Sequence, residues 1–364
     1  MGIPIQVIPP RASAHLTQVR LYGPDEVDAL FPRLDCYLLG DGPLLELSRH
    51  PAWLRVLARG LGHVPYCLEA TDGGRTTGFL ALSYVESLLF GRYLASMPYL
   101  NYGGVQADDD ETAGQLIDRA VELADRLKVR RLELRHEHPV AHPKLGHSRT
   151  DKVHMRLDLP GDVGQLEKGL DPKVRNQVKK GRKHNLEVVW GGRELLDEFY
   201  GVFARNMRDL GTPVYSRRLF ASALEMFPDR AELCIVRGEG QPLAGALLLH
   251  GWGVTEVPSA SSLRSHNNTC ANMLMYFHLL ARAVERGQDV FDFGRATPGG
   301  GTFRFKEQWG AQPSGSAWQS YLRAGSLEET RPDNPRYQWR IRMWQRLPLW
   351  VAGSLGPWIV RGIP

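Results

Sequence analysis

From residue 300 to 310 the sequence reads Gly-Gly-Thr-Phe-Arg-Phe-Lys-Glu-Gln-Trp-Gly, setting two cations and three aromatic rings among flexible glycines. The apolar run Val290 to Phe293 just before it predicts a buried strand. The segment therefore reads as the loop at a strand end, where folds place binding and chemistry. Composition leaves two readings open: an active-site segment, or a well-packed strand with a basic edge. Lys306 and Arg295 are the groups that would stabilise negative charge developing on an attacked carbonyl. Asp292 alternates outward between Phe291 and Phe293 if the strand is half buried, and is a candidate base or an orienting partner for Arg295. Acyl transfer to an amine needs little beyond positioning, an oxyanion stabiliser and a destination for one proton. Asp292, Arg295 and Lys306 are thus the catalytic candidates, with Arg304, Phe305 and Trp309 as substrate-binding candidates beside them.

A second cluster is basic. Lys168 to His184 holds seven lysines and arginines against one acid, Asp171, and Arg175, Lys179 and Arg182 or Lys183 can share a helix face. Such a face would grip phosphates, because a merely solvated helix mixes signs; Arg175, Lys179 and Lys180 are the candidates. The stretch Pro98 to Gly104 follows one strand and precedes a helix, so Asn101 and Tyr102 could line a pocket while glycine permits close backbone approach. A tight turn with its tyrosines packed on the sheet is the equal alternative. His136, Glu137, His138, His142, His147 and His154 match no zinc spacing and read as a histidine-rich loop. The chain has no GxSxG elbow and no Walker loop, and Asp292-Phe293-Gly294 lacks the glycine loop of a kinase.

The elements that must position these groups are written twice. Strands are expected at Pro65–Ala70, Thr77–Val85 and Arg92–Ser96, then a helix at Glu111–Leu127 and a strand at Arg131–Leu134. The same order returns as strands at Glu232–Arg237, Leu243–His250 and Thr255–Ser259, a helix at Asn272–Arg286 ended by Gly287, and a strand at Val290–Phe293. Two α/β domains of one type follow, over 1–150 and 151–325, with a basic aromatic tail over 326–364. From Arg331 onward that tail carries six arginines and one acid, Asp333, interleaved with tryptophans. This composition suits either an anionic membrane interface or an arm packed on the body. The whole chain has 364 residues, 43% hydrophobic and 23% charged, with a net charge of +5, which is globular and favours an anionic partner. Four scattered cysteines suggest no disulfide framework. With no signal peptide and no long apolar span, a cytoplasmic protein is expected, possibly peripheral at the inner membrane face.

Three passages together resemble the FemAB-like branch of the GNAT acyltransferase superfamily, in particular members associated with exosortase (PEP-CTERM) and exopolysaccharide systems: Lys173 to Val188, Asp292 to Arg295, and Gly301 to Gly310. The resemblance implies two tandem GNAT-like domains facing each other across a cleft, each a mixed central sheet flanked by helices. It implies an N-acyltransferase in envelope biogenesis, with acyl-CoA or acyl-carrier protein as donor and an amine on a sugar or lipid-linked intermediate as acceptor. Aminoacyl transfer from tRNA is the rival activity, and a non-catalytic assembly adaptor the rival class. A lysine in a Phe-Lys pair stabilises the reacting acyl end in peptidoglycan-bridge members, and that pair falls on Phe305 and Lys306. The coiled-coil arm of some tRNA-using members is missing from this sequence.

Overall fold

The computed structural model describes residues 17–40, 45–87, 91–323 and 338–363. The N-terminal stretch and the polar break at Glu328, Glu329, Pro332, Asp333 and Pro335 lie outside these residues, as does the start of the tail. The first half runs β1 (Gln18–Tyr22), α1 (Phe31–Leu38), α2 (Trp53–Leu61), β2 (Val64–Asp72), β3 (Arg75–Ser87), β4 (Gly91–Ala95), β5 (Gln106–Ala107), α3 (Asp110–Arg126), β6 (Arg131–His136) and β7 (His147–Arg149). The second runs β8 (Val153–Asp158), α4 (Val163–Gly169), α5 (Pro172–Lys183), β9 (Glu187–Gly191), α6 (Leu196–Leu210), α7 (Arg217–Met226), β10 (Ala231–Gly238), β11 (Gln241–His250), β12 (Val254–Ser262), α8 (Ala271–Glu285) and β13 (Val290–Ala296). It closes with α9 (Gly301–Glu307), β14 (Gln312–Ser314), β15 (Ala317–Leu322), α10 (Gln338–Gln345) and α11 (Leu349–Val360).

The repeat expected from sequence is present as two mixed sheets. Elements β2, β3, β4, α3 and β6 of the first unit correspond in order to β10, β11, β12, α8 and β13 of the second. Both leading hairpins turn on two residues with positive φ, Gly73–Gly74 and Glu239–Gly240. That is the turn whose twist matches paired strands. Helix α3 starts where Asp109 accepts a 2.7 Å hydrogen bond from the Thr112 amide, with Asp110 and Glu111 in its first turn. Helix α8 is apolar nearly all round, so it is buried against the second sheet and stops at Gly287, φ 66°.

Sheet membership crosses the midpoint of the chain. The first sheet has the order β1-β2-β3-β4-β6-β15-β7, so its strand beside β6 comes from the far end of the second half. The second has the order β14-β8-β13-β12-β11-β10-β9, and the strand beside β13 is β8, directly after the first half. A common core also joins the halves: Trp53, Leu54, Leu57 and Phe79 pack with Phe199, Phe220, Leu233 and Leu247. Helices α2 and α7 approach so closely that a Cβ at Gly60 would sit 2.6 Å from Leu219 Cα.

The segment after β13 is a correction. It was expected as a loop, but Gly301–Glu307 is a short helix, with Arg304 N bonded to Gly300 O. Phe303, Phe305 and Trp309 supply the apolar side that lets this turn coil against the second core. Likewise, the histidine-rich region is not all loop. His136 ends β6, buried and 2.9 Å from Gln319 Oε1, and His154 lies fully buried in β8.

Candidate active site

Strands β12 and β13 are parallel and pair at Val254–Val290, Thr255–Phe291 and Glu256–Asp292, after which the pairing ends and the strands part. Strands β4 and β6 do the same, pairing from Tyr93–Arg131 to Ala95–Glu133. The chain leaves β4 through the segment Met97–Gly104. Gly103 and Gly104 let this segment lie on β6, since a Cβ at Gly104 would overlap His136, whose Cα would be 3.0 Å away. The openings in the two sheets face one another, and their residues meet.

Asp292 is fully buried, not outward as a half-buried strand would have it, because β13 is flanked by β8 and β12 and covered by the first half. Its Oδ2 accepts a hydrogen bond from the Tyr102 hydroxyl, and its Oδ1 accepts one from the Gly294 amide at 2.5 Å. Arg156 donates to the Tyr102 hydroxyl at 2.9 Å and stands 3.5 Å from Asp292. The same guanidinium pairs with Glu46 and, at 2.8 Å, with Glu137. Arg49 closes the ring, 2.6 Å from Glu46 and 2.7 Å from Glu137, with its guanidinium 4.6 Å from the Tyr102 ring centre. His154 stacks on Tyr102 with ring centres 4.1 Å apart. Glu256, registered beside Asp292, is held by Ser48 through its amide at 2.9 Å and its hydroxyl at 2.7 Å.

Lys306 is 6% exposed, and its Nζ donates to the carbonyls of Gly294 at 3.0 Å and Arg295 at 2.9 Å. Gly294 makes this possible: with φ 76° it turns the strand, and a Cβ there would lie 2.9 Å from Asn101 Nδ2 and 3.9 Å from Lys306 Nζ. Asn101, Tyr102, Asp292 and Lys306, which lie far apart in sequence, are thereby brought into one constellation.

Burial sets the protonation states. It lowers Lys306 to about 8, with Asp292 pulling the other way. Burial also raises Asp292, against the Tyr102 bond and Arg156. Glu256 is raised to about 8, by burial first and then by Glu46 and Asp292. Tyr102 is raised well above its ordinary value, again by burial and then Asp292, so it stays a donor. His154, desolvated and surrounded by Arg156, Arg295, Arg49 and Lys306, is lowered to about 2 and is neutral.

The other candidates lie apart from this centre or serve the scaffold. Arg295 turns after Gly294 toward Trp318, 3.5 Å from its ring centre, while Arg135 covers that ring at 3.9 Å. Desolvation and the neighbouring Arg135 and Arg149 lower Arg295 to about 9. Phe305 meets Tyr276 edge-on at 4.9 Å, and Trp309 is buried beside them in the second core. Arg304 is exposed. Arg175 donates to the carbonyls of Lys168 and Leu170, tying α4 to α5, and Arg182 pairs with Glu167, whereas Lys179 and Lys180 stay exposed. Near them, at the start of α8, a pocket of about 250 Å³ is lined by Gln177, Ser262, Asn267, Ala271 and Asn272. A larger cavity of about 930 Å³ lies between α1 and the β2–β3 turn, lined by neither Lys306 nor Asp292.

Glu46, Arg49, Arg156 and Glu256 were not anticipated from sequence, and Glu137 was noticed only within the histidine-rich loop. Glu256 left a partial signal, as a carboxylate inside an expected strand, a feature it shares with Glu69, Glu133 and Glu232.

Residues 172–307 match the family described as "Acetyltransferase (GNAT) domain". No curated protein matches the sequence. Among solved structures, FemX is similar at 15% identity with a TM-score of 0.60, over 84% of this chain and 97% of that one. A tandem GNAT protein from the clavulanic acid biosynthesis pathway matches at 14% identity and TM-score 0.55, over 85% and 100%. The C-terminal domain of a putative lysylphosphatidylglycerol synthetase from Agrobacterium fabrum matches at 12% identity and TM-score 0.53, over 84% and 94%. The chain is therefore built as two α/β units of GNAT-like fold, with residues 172–307 matching the acetyltransferase (GNAT) domain family.

Proposed function

We propose that this chain is an aminoacyltransferase that moves an aminoacyl group from tRNA to an amine on an envelope-linked acceptor, with the reaction centred on Lys306. The observation that carries this reading is the Lys306 ammonium, held by two carbonyls beside Asp292. An ammonium has three N–H donors, and two are spent on Gly294 and Arg295, leaving one for a developing oxyanion. The acceptor nitrogen attacks the ester carbonyl, a C–N bond forms, and the C–O bond to the tRNA hydroxyl breaks. Asp292, raised by burial and therefore a better base than a solvated carboxylate, takes the proton of the attacking amine. That proton then passes to the departing hydroxyl oxygen. The fold shared with FemX, and with a synthetase named for an aminoacyl lipid, supports the aminoacyl donor over the thioester expected from sequence. Exposed Lys179 and Lys180 are suited to phosphodiester contact. The envelope-polysaccharide setting belongs to the same proposal.

A thioester donor is the second reading, favoured by the acetyltransferase match and by the pocket at the start of α8. One assay separates them, with hydroxylamine as surrogate acceptor and either mixed aminoacyl-tRNA or acyl-CoA as donor. Hydroxamate formation from tRNA, abolished by ribonuclease, is expected. Release of free CoA instead would install the second reading, and silence with both donors would sink the pair. Lys306→Ala should lower kcat by about 10²–10³-fold with an unchanged circular dichroism spectrum. In the native enzyme kcat should fall as pH rises through about 8, where Lys306 loses its proton.

A further inference from the structure

The segment that ends the described chain covers the body with one side and leaves the other bare. Ala352, Gly356 and Val360, four residues apart on α11, are buried, and a Cβ at Gly356 would lie 2.8 Å from Val214 N. Hydrogen bonds fix the segment at both ends. Gln345 Nε2 donates to Asp209 O at 3.2 Å and Arg208 to Leu347 O at 3.2 Å, while the Tyr99 hydroxyl bonds the carbonyls of Val360 at 3.1 Å and Arg361 at 2.8 Å. This is a seated element with a defined outer face.

That face is apolar and aromatic. Trp350 is 75% exposed, Trp358 68% and Met343 59%, with Leu355 and Trp339 exposed beside them. Apart from these, only Leu39 and Leu210 are exposed large apolar side chains among the described residues. Leu210 adjoins Gly211, against which Ile341 of α10 packs, so it extends the same patch. Trp350, Ser354 and Trp358 form a stripe at helical spacing, opposite the buried one. No charge interrupts the sequence from Leu347 to Val360, while residues 338–363 contain four arginines and no acid, with Arg342 and Arg346 exposed. Tryptophan at an apolar–polar boundary, next to unopposed cations, complements anionic lipid headgroups. The twelve residues of α11 span about 18 Å, too short for a hydrocarbon core of about 30 Å, so the helix lies in the interface plane.

We propose that the Trp350–Trp358 face of α11, with Met343, Arg342 and Arg346 of α10 and its following turn, docks this protein on an anionic lipid surface. The proposal stands on this surface alone and does not depend on the reaction proposed above. Docking would set the first-half opening relative to the lipid plane, because Tyr99 ties the end of α11 to the segment that carries Asn101 and Tyr102.

The test is co-sedimentation of the full chain with vesicles of phosphatidylcholine alone or mixed with phosphatidylglycerol, with tryptophan fluorescence recorded in parallel. Binding to the mixed vesicles, a blue shift, and weakening with added salt are expected. Arg342→Gln with Arg346→Gln should weaken it about thirty-fold, at ~1 kcal/mol per basic residue. Trp350→Ser with Trp358→Ser should abolish the blue shift while leaving the melting temperature in place. Equal binding to both vesicle types, no binding, or binding that survives the tryptophan substitutions would overturn the proposal. So would a concentration-dependent dimer that those substitutions dissolve, since it would assign the face to a second copy of the chain.

Discussion

Glu256 and Lys306 show how burial, acting on single side chains, writes a pH profile into this protein. Glu256 keeps its proton to about 8 in the folded chain, whereas the unfolded carboxyl loses it near 4.5. Across that window the folded state binds more protons, so stability must fall as pH rises from about 4.5 to 8. Asp292 shifts in the same direction. Lys306 acts above that window: neutral when folded from about 8, yet protonated to 10.5 when unfolded, it makes stability climb between those values. Glu256→Gln should therefore flatten the descent, and urea unfolding at pH 5, 6, 7 and 8 reads this directly. A slope identical to that of the native chain would show that Glu256 ionises normally in the fold. The lone carboxylate between Thr255 and Val257 was visible in the sequence, but its partner Ser48 and its neighbour Glu46 were not. They come from the turn before α2, a region whose sequence predicted no element.

At the scale of elements, the two leading hairpins repeat one plan and differ at one turn residue. The first turn has Gly73 and Gly74, the second Glu239 and Gly240, and all four residues adopt positive φ. Glutamate in that region carries a steric cost of about 1–2 kcal/mol that glycine avoids. Glu239→Gly is expected to raise stability by roughly 1 kcal/mol, seen as a higher denaturant midpoint, and Gly73→Glu to lower it by a similar amount. A Glu239→Gly chain no more stable than the native one would mean that the left-handed geometry is not a burden there. These strand–turn–strand units were legible because glycine, alternation and apolar runs are local signals. Helices α2 and α7 were missed although Trp53, Leu54, Val56, Leu57 and Leu61 recur at helical spacing on the buried face of α2; what the sequence could not show is that this face packs on α7. Gly301–Glu307 was misread for a related reason: its glycines suggested a loop, while the packing of Phe305 and Trp309 on Tyr276 favours a helical turn.

For the whole molecule, the two sheets are not two independent domains in the energetic sense. The shared core of Trp53, Phe79, Phe199 and Phe220 and the crossing strand β15 couple them. Calorimetry should record one cooperative transition; two resolved peaks would refute the coupling. The charged ring at the site depends on the same union, with Glu46, Arg49 and Glu137 from one half closing on Arg156 and Asp292 from the other. That is why sequence could place Asp292 in a strand and Lys306 shortly after it but could not supply their company.

The crossing of β15 also has a consequence in time. During synthesis β6 emerges early, but the strand that covers its edge, and the Gln319 side chain that accepts from the Val140 amide at 2.8 Å, arrive only near the end. At ~5–20 residues per second on the ribosome, that edge waits on the order of tens of seconds with its backbone groups unpaired. A nascent strand edge held open so long is a binding site for chaperones and a hazard for aggregation. The yield of folded protein in a cell should therefore follow translation speed between residues 137 and 317 more closely than the stability of the finished chain.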